Sequence, residues 1–286
     1  MPELPEITVF ANDMGIELVG RAIAGIEVFQ PKCLNVPVDE FTAALAGARV
    51  LGVQAHGKWL KVETSQGWLL LNLGMGGEIL LTSRGRLPEK YRLIFDLDGE
   101  ECLAVNFWWF GFAHYAPLQT DPKGFGKPLG SEVINHPMVG RLGPNALELS
   151  LEEFRALLKG RRGAIKTFLL DQDRIAGIGN VYVQTPLWRA KIHPLRPIPS
   201  LSEDEIGALW QALRDVLQGS IDAGGAPFEL NLYGQKGGWD DPYLFHWEEG
   251  APCPACGTPL AKIRTGSTGS YICPGCQWLE PLTQPG

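Results

Sequence analysis

Cys253-Pro-Ala-Cys256-Gly-Thr-Pro-Leu-Ala-Lys-Ile-Arg-Thr-Gly-Ser-Thr-Gly-Ser-Tyr-Ile-Cys273-Pro-Gly-Cys276 holds four of the six cysteines of this 286-residue chain. Each CxxC turn aims two thiolates at one centre. Two such turns on the arms of a hairpin complete the closed four-sulfur shell that structural zinc prefers. The sixteen residues between the pairs have strand character, with room for a turn at Gly266 to Gly269. The stretch therefore predicts a hairpin holding one structural zinc ion, with no open position for catalysis. Cys33 and Cys102 stand apart and read as buried thiols acting as small hydrophobes.

Upstream, Asp222 to Gly250 is glycine-rich and aromatic, without a helical period. A loop of that length is normally functional or disordered. Before it the texture is helical. Ser150-Leu-Glu-Glu153 has the form of a capping box, in which Ser and Glu satisfy each other's free backbone N–H groups. Further helical runs are predicted at Ala164 to Asp171, Asn180 to Ala190 and Ser202 to Asp222. Residues 119 to 148 are rich in Pro, Gly and Asp and read as a linker region. From Ile7 to about Leu118 the chain is mainly β, with strand-like runs at Gly20 to Val28, Arg49 to Gln54, Trp59 to Glu63, Gly67 to Leu73, Arg92 to Asp96 and Glu101 to Val105. A helix is predicted over Glu6 to about Val19, directly behind the N-terminal strip.

This is the organisation of an α+β multidomain protein. Its expected parts are an N-terminal domain at 1–130, a linker at 131–149, a helical domain at 150–245 with a glycine-rich loop at 223–243, and the hairpin at 246–286. With 45% hydrophobic residues the chain can bury a sizeable core. It has neither a membrane-length apolar run nor the basic and apolar regions of a signal peptide, so a cytoplasmic protein is expected. A net charge of -7 and a pI near 5.3 speak against nucleic acid. Locally the balance reverses. From Leu151 to Pro194 there are eight Lys or Arg, including Arg162 and Lys166, against four acids.

Within that basic stretch, Ile175-Ala-Gly-Ile-Gly-Asn180 falls between two helical runs. Its glycines allow a tight turn whose N–H groups form an anion seat, with Asn180 placed to cap the next helix or to meet a phosphate. The chain begins Met1-Pro2-Glu3-Leu4-Pro5-Glu6. Removal of Met1 exposes a secondary amine. An α-amine titrates at roughly 7.7 to 8, so a useful fraction is nucleophilic at neutral pH.

Four blocks in order, MPELPE at 1–6, HGKWL at 56–60, LLDQDRIAGIGNVY at 169–182 and the hairpin ending CPGCQ at 273–277, resemble the formamidopyrimidine-DNA glycosylase and endonuclease VIII family across nearly the whole chain. The resemblance implies an N-terminal β-sandwich flanked by helices and a C-terminal helix-two-turn-helix domain with a zinc-ribbon finger, with DNA between them. It implies a bifunctional DNA glycosylase and abasic-site lyase, acting as a monomer on double-stranded DNA that contains a damaged base or an abasic site, with no membrane partner. Pro2 would be the nucleophile at the sugar C1', and Glu3 the carboxyl group that handles protons there. Glu6 matches a neighbouring family glutamate, and Lys58 the hairpin lysine that contacts the lesion or its phosphate. Lys166 and Asn180 match phosphate-pinching residues, and Arg162 lies on the same basic stretch. Met75 and Phe110 match the apolar wedge pushed into the base stack.

Several positions depart from the family pattern. The oxidised-purine enzymes read Asp-Pro-Arg-Arg-Phe-Gly, whereas this chain reads Asn106-Phe-Trp-Trp-Phe-Gly111, so Trp109 replaces the arginine that pairs with the orphaned base. Thr268 stands for the finger arginine, Tyr91 for a family histidine, and Thr185 beside Pro186 for a helix glutamate. These losses fall on DNA grip and specificity, while residues 2 to 6 keep the chemical strip. The start ELPE points to oxidised purines, and LLDQ and PLW to the branch that prefers oxidised pyrimidines. A lesion-binding DNA protein on the same fold, non-catalytic or lyase-only, is the alternative; the lost arginine favours its non-catalytic form and the kept Pro2-Glu3 pair opposes that form. A zinc-ribbon transcription or RNA factor would leave MPELPE unexplained.

Overall fold

The computed structural model describes residues 1–118, 136–241 and 248–279, which form two compact units: 1–142 with 223–238, and 143–222 with 239–286. In the first unit, helix α1 (Leu4–Leu18) follows directly on the N-terminal strip. Ile7, Phe10, Ala11, Met14 and Leu18 recur at helical spacing and are buried along one face. Each large side chain of that face contributes about 1.5 to 3 kcal/mol by leaving water. This face fixes the helix, and through it the position of residues 2 to 6.

The helix packs on strands. β1 (Ile23–Val28), a short helix α2 (Val38–Leu45), β2 (Val50–His56), β3 (Trp59–Thr64), β4 (Gly67–Asn72), β5 (Glu78–Ser83), β6 (Leu93–Leu97), β7 (Glu101–Asn106) and β8 (Phe112–Ala116) follow. They form two four-stranded antiparallel sheets, ordered β1-β6-β7-β5 and β2-β3-β4-β8. Inward residues of both sheets, among them Leu60, Val62, Leu69 and Leu71 from one and Leu93, Phe95, Leu103 and Val105 from the other, share a core with the apolar face of α1. Cys33 and Cys102 are buried, as expected of small apolar groups, and burial pushes the Cys33 thiol up to about 11. β5, β8 and α2 are not predicted from the sequence. Both strands lie at sheet edges, where pairing with β7 and β4 rather than their own pattern makes them strands.

The second unit holds α3 (Leu151–Leu158), α4 (Ile165–Leu170), α5 (Gln184–Arg189), α6 (Glu203–Asp222), and the hairpin of β9 (Ala261–Thr265) and β10 (Thr268–Ile272). The capping box forms as predicted, with Glu153 N–H donating to Ser150 Oγ at 3.2 Å and Ser150 N–H to Glu153 Oε2 at 2.9 Å. The helix predicted from Asn180 starts only at Gln184. Pro186 has no N–H to bond the carbonyl four residues back, so it is tolerated in a first turn and not further in. Asn180 accordingly caps no helix.

Two boundaries are corrected. The loop at 223–243 was read with the helical domain, but residues 223–238 pack in the first unit. Leu232 is buried in the first unit's core and its carbonyl accepts from Leu81 N–H at 2.9 Å, while Ala226 N–H donates to Glu6 Oε1 at 3.2 Å. Of the expected linker, 131–135 lies outside the described residues. His136 to Leu142 belongs to the first unit, where His136 packs on His114 and Trp59, and the second unit begins at Gly143.

Candidate active site and zinc finger

Pro2, Glu3 and Glu6 are all buried at the head of α1. Glu3 N–H donates to Glu6 Oε2 at 2.9 Å, and the other oxygen of the same carboxylate takes the Ala226 N–H. Glu6 therefore clamps the strip to the 223–238 segment through two backbone donors, and its task in the fold is positioning. The α-amine of Met1 donates to Glu229 Oε1 at 3.4 Å across 228 residues of sequence. Glu229 was not found from the sequence, where nothing marks a lone glutamate in a loop so far along. Burial raises its carboxyl above the usual range, partly offset by the terminal amine and reinforced by Glu3 and Glu78.

In the second unit the four cysteines converge. Their sulfurs lie within 4.8 Å of one another, with Cys253 to Cys276 at 3.9 Å, Cys256 to Cys273 at 3.4 Å and Cys256 to Cys276 at 3.5 Å. A tetrahedron of sulfurs about 2.3 Å from zinc has edges of about 3.8 Å, so the donor set fits the ion. Trp188 packs against the cluster, Gln277 Oε1 accepts the Cys273 N–H at 3.0 Å, and Gln277 Nε2 donates to the Ile192 carbonyl at 3.0 Å. The finger is thereby seated on the helices of its own unit.

Lys166 is buried at 1% exposure. Its ammonium meets five oxygens: Asn180 Oδ1 at 2.7 Å, Thr265 Oγ1 at 3.0 Å, Thr268 Oγ1 at 3.1 Å, the Gly269 carbonyl at 2.9 Å and Ser270 Oγ at 2.7 Å. Burial pushes this amine down to about 8, while the five acceptors hold its charged form. Thr268, expected in place of a finger arginine, turns its hydroxyl inward to this cage. Asn180 orients on Lys166 through its side-chain oxygen and accepts from Gln184 Nε2 with its carbonyl at 2.9 Å.

Comparison with known proteins bears on all three features. Residues 1–107 match the formamidopyrimidine-DNA glycosylase N-terminal domain, 142–230 the H2TH domain of the same enzymes, and 250–277 the zinc finger found in FPG and IleRS. A formamidopyrimidine-DNA glycosylase of Roseiflexus is 35% identical over 285 residues, covering 97% of this chain and all of that protein. The Enterococcus faecalis protein of the same name is 33% identical, with 98% of each chain covered. This chain belongs to the formamidopyrimidine-DNA glycosylase family. Lactococcus lactis Fpg in complex with abasic-site DNA superposes with a TM-score of 0.84 at 26% identity, over 97% of this chain and 100% of that one. A complex of the same enzyme with N7-benzyl-Fapy-dG DNA gives 0.83 at 27%. The β-sandwich, the H2TH domain and the zinc finger expected from the resemblance are therefore present.

Most of the remaining residues that the sequence singles out lie on turns. Lys58 sits in the two-residue β2–β3 turn, where Gly57 takes φ +57 and the Lys58 carbonyl accepts from Asn72 Nδ2 at 3.1 Å. Met75 and Trp109 join two further loops: Met75 N–H donates to the Trp109 carbonyl at 2.9 Å, and Trp108 N–H to the Met75 carbonyl at 3.2 Å. Gly74, at φ +55, allows this approach, since a Cβ there would lie 2.1 Å from the Trp109 oxygen. Trp108, Trp109 and Phe110 are exposed at 60%, 64% and 73%, with Met75 beside them at 51%. Phe110 adopts φ +57, a left-handed conformation that costs a non-glycine residue about 1 to 2 kcal/mol and that the loop bonding imposes. The result is an exposed apolar blade tied by backbone bonds. Tyr91 packs edge-on against Phe29 at 5.1 Å. Arg162 is exposed after α3 and lines an open basic depression of about 630 Å³ with Arg155, Lys159 and Arg161. Arg264, also unmarked from the sequence, is exposed on β9 and donates to the Gly266 carbonyl at the hairpin tip at 3.2 Å.

No helix among the described residues is long and apolar enough to cross a membrane.

Proposed function

We propose that this protein excises oxidised bases from double-stranded DNA and cleaves the resulting abasic site, in base-excision repair, with the Pro2 amine as nucleophile. One observation carries the reading. The MPELPE strip is buried and clamped by Glu6 at the head of α1, with Glu3 beside the residue that becomes the amine. The glycosylase names of the relatives, and the abasic-site DNA bound by the Lactococcus lactis enzyme, support it.

Once Met1 is removed, the lone pair of Pro2 forms a bond to C1' as the glycosidic bond breaks, and the base departs with that bond's electrons and a proton. Glu3 handles the proton at the opening sugar. The C1'–O4' bond then breaks, O4' leaving with a proton as the nitrogen lone pair closes the C=N bond; the cationic iminium acidifies C2', and loss of that proton expels the 3' phosphate, and a second elimination the 5' phosphate. Lys58, on its braced turn, contacts the lesion or its phosphate. Met75 and Phe110 fill the gap left by the extruded nucleotide, and Trp109 stacks where the family's arginine reads the opposite base. On the other unit Lys166 orients Asn180 toward a phosphate, and Arg162 adds positive charge, while Thr268 and Tyr91 occupy contact positions with weaker grip. One structural zinc in Cys253, Cys256, Cys273 and Cys276 holds the finger.

Borohydride trapping on a panel of single-lesion duplexes, read by mass, tests nucleophile and lesion together. An adduct on the Pro2 peptide with an oxidised-base duplex is expected. An adduct on Lys58, or undiminished trapping by protein with a blocked N-terminus, overturns it.

A further inference from the structure

Among the described residues, Glu229 is in direct contact with the chain terminus from a distant part of the sequence, and the chemistry described above does not use it. Its side chain is 13% exposed, it accepts from the terminal amine at 3.4 Å, and it belongs to the 223–238 segment that Glu6 ties to the N-terminal strip. We propose that Glu229 is a positioning residue for the N-terminal amine: its carboxylate holds the cationic terminus in place and receives the proton that the amine must lose before it attacks. The proposal rests on the reading of Pro2 as nucleophile.

The geometry makes this specific. Removing Met1 moves the amine one residue, about 3.8 Å between Cα atoms, along a strip that is itself held in place. In that region the charged groups bearing on Glu229 are the amine, Glu3 at the cap of α1 and Glu78 on β5. Glu6 is committed to two backbone N–H donors. Glu3 has its own task at the sugar. Glu229 is thus the carboxylate in observed contact with the terminus and without another role. Its burial lifts its proton affinity toward that of an amine, so the transfer from ammonium to carboxylate is closer to balanced than with an exposed glutamate. In the step itself the N–H bond breaks, an O–H bond forms on Glu229, and the nitrogen keeps the lone pair that then attacks C1'. Once the iminium has formed, the same site again faces a cation.

The test uses the full-length, Met1-processed protein in two measurements. In the first, acylation of the terminal amine is followed against pH by mass, without DNA. A nearby carboxylate favours the ammonium, so Glu229→Gln is expected to move the midpoint of this curve down by about half to one pH unit, whereas Glu229→Asp keeps it near the wild-type value. In the second, trapping on a preformed abasic site is expected to lose about tenfold or more at its high-pH plateau in Glu229→Gln, with part of the rate restored in Glu229→Asp. An amine midpoint unmoved in a folded Glu229→Gln protein overturns the proposal, whatever happens to the plateau, because a merely structural residue would lower the rate without moving that midpoint. If Glu229→Gln does not fold, a Glu229→Asp protein with the amine midpoint of a free unstructured terminus overturns it equally. Failure of the Pro2 reading shows separately, as a blocked terminus that still traps at full rate.

Discussion

The head of α1 and the cage around Lys166 handle a cation in opposite ways. At the chain terminus a cation faces a carboxylate, with two further glutamates adding to the field. At Lys166 the ammonium is surrounded by three hydroxyls, one amide oxygen and one backbone carbonyl, none of them charged. Neutral acceptors satisfy an ammonium without offering it anywhere to send a proton, so the cage is built to hold. A carboxylate of raised proton affinity can take a proton, so the terminus is built to exchange one. On the proposed reading, the first unit carries the chemistry and the second fixes a surface for DNA.

The sharpest break of this contrast comes at the terminus. Pro2→Gly leaves a primary amine in place of a secondary one and is expected to slow trapping on a preformed abasic site by about two orders of magnitude or more, with thermal stability nearly unchanged. Wild-type rates would move the nucleophile elsewhere and end the contrast. On the finger side, chelating the zinc, or Cys273→Ala, is expected to unfold the hairpin and abolish measurable DNA binding, because metal binding and folding of such a hairpin are one equilibrium. Metal analysis should return one zinc per chain before chelation. Retained DNA affinity in metal-free protein would show that the cage works without its finger.

Lys166→Met separates holding from DNA contact. It strands five acceptors and is expected to destabilise the second unit by roughly 2 to 4 kcal/mol in thermal unfolding. The salt slope of DNA affinity should stay the same, since a caged ammonium displaces no counterion from DNA. A slope flattened by about one phosphate, with stability intact, would instead put the ammonium on the backbone. Trp109→Ala tests the blade and should cost roughly 1 to 3 kcal/mol in activity, equally against all four opposite bases. A loss confined to one opposite base would mean that Trp109 reads hydrogen-bonding edges indirectly rather than stacking.

The smallest effect concerns the other buried titratable pair of the first unit. His114 Nδ1 lies 2.9 Å from His136 Nε2, and His136 Nδ1 accepts from the N–H groups of Met138 and Val139 at 3.4 and 3.3 Å. Nε2 of His136 is therefore the donor in the pair. Burial first, and His136 second, hold His114 down to about 4, and burial lowers His136 as well. Both rings are neutral in the folded protein, while the unfolded chain takes up protons near pH 6.5. The stabilisation from neutral His114 is complete above that pH and is lost as pH falls from 6.5 through about 4, and His136 adds a loss in the same direction. His114→Phe should flatten the fall in melting temperature between pH 7 and 4.5. An unchanged profile would assign acid sensitivity to other groups.

Much of this molecule was legible as pattern. The period of α1, the strand-like runs of β1 to β4, the Ser150 box and the spacing of the four cysteines are local signals, set by residues a few positions apart, and each was found close to where it is predicted. β5 and β8 carry no such local signal, and they are strands through their pairing with β7 and β4. The start of α5 was displaced by one missing N–H at Pro186. The loop at 223–238 was placed with the wrong unit because its residues lack a period, and its membership is set by bonds to Glu6 and Leu81, each more than 140 positions away in the chain.

By itself the sequence determined which chemical groups are present and which family pattern they follow: a proline behind Met1, four thiols in two turns, a lysine and an asparagine fourteen residues apart, and two tryptophans where arginines are usual. Only the tertiary structure decided what those groups meet. It brought Glu229 to the amine across 228 positions, and enclosed Lys166 with oxygens from a hairpin about a hundred positions on. The physical reason is range. Secondary structure and metal motifs are governed by backbone geometry over a few residues. The protonation and reach of a charged side chain depend on every group packed within a few ångströms, and the chain supplies those from anywhere along its length.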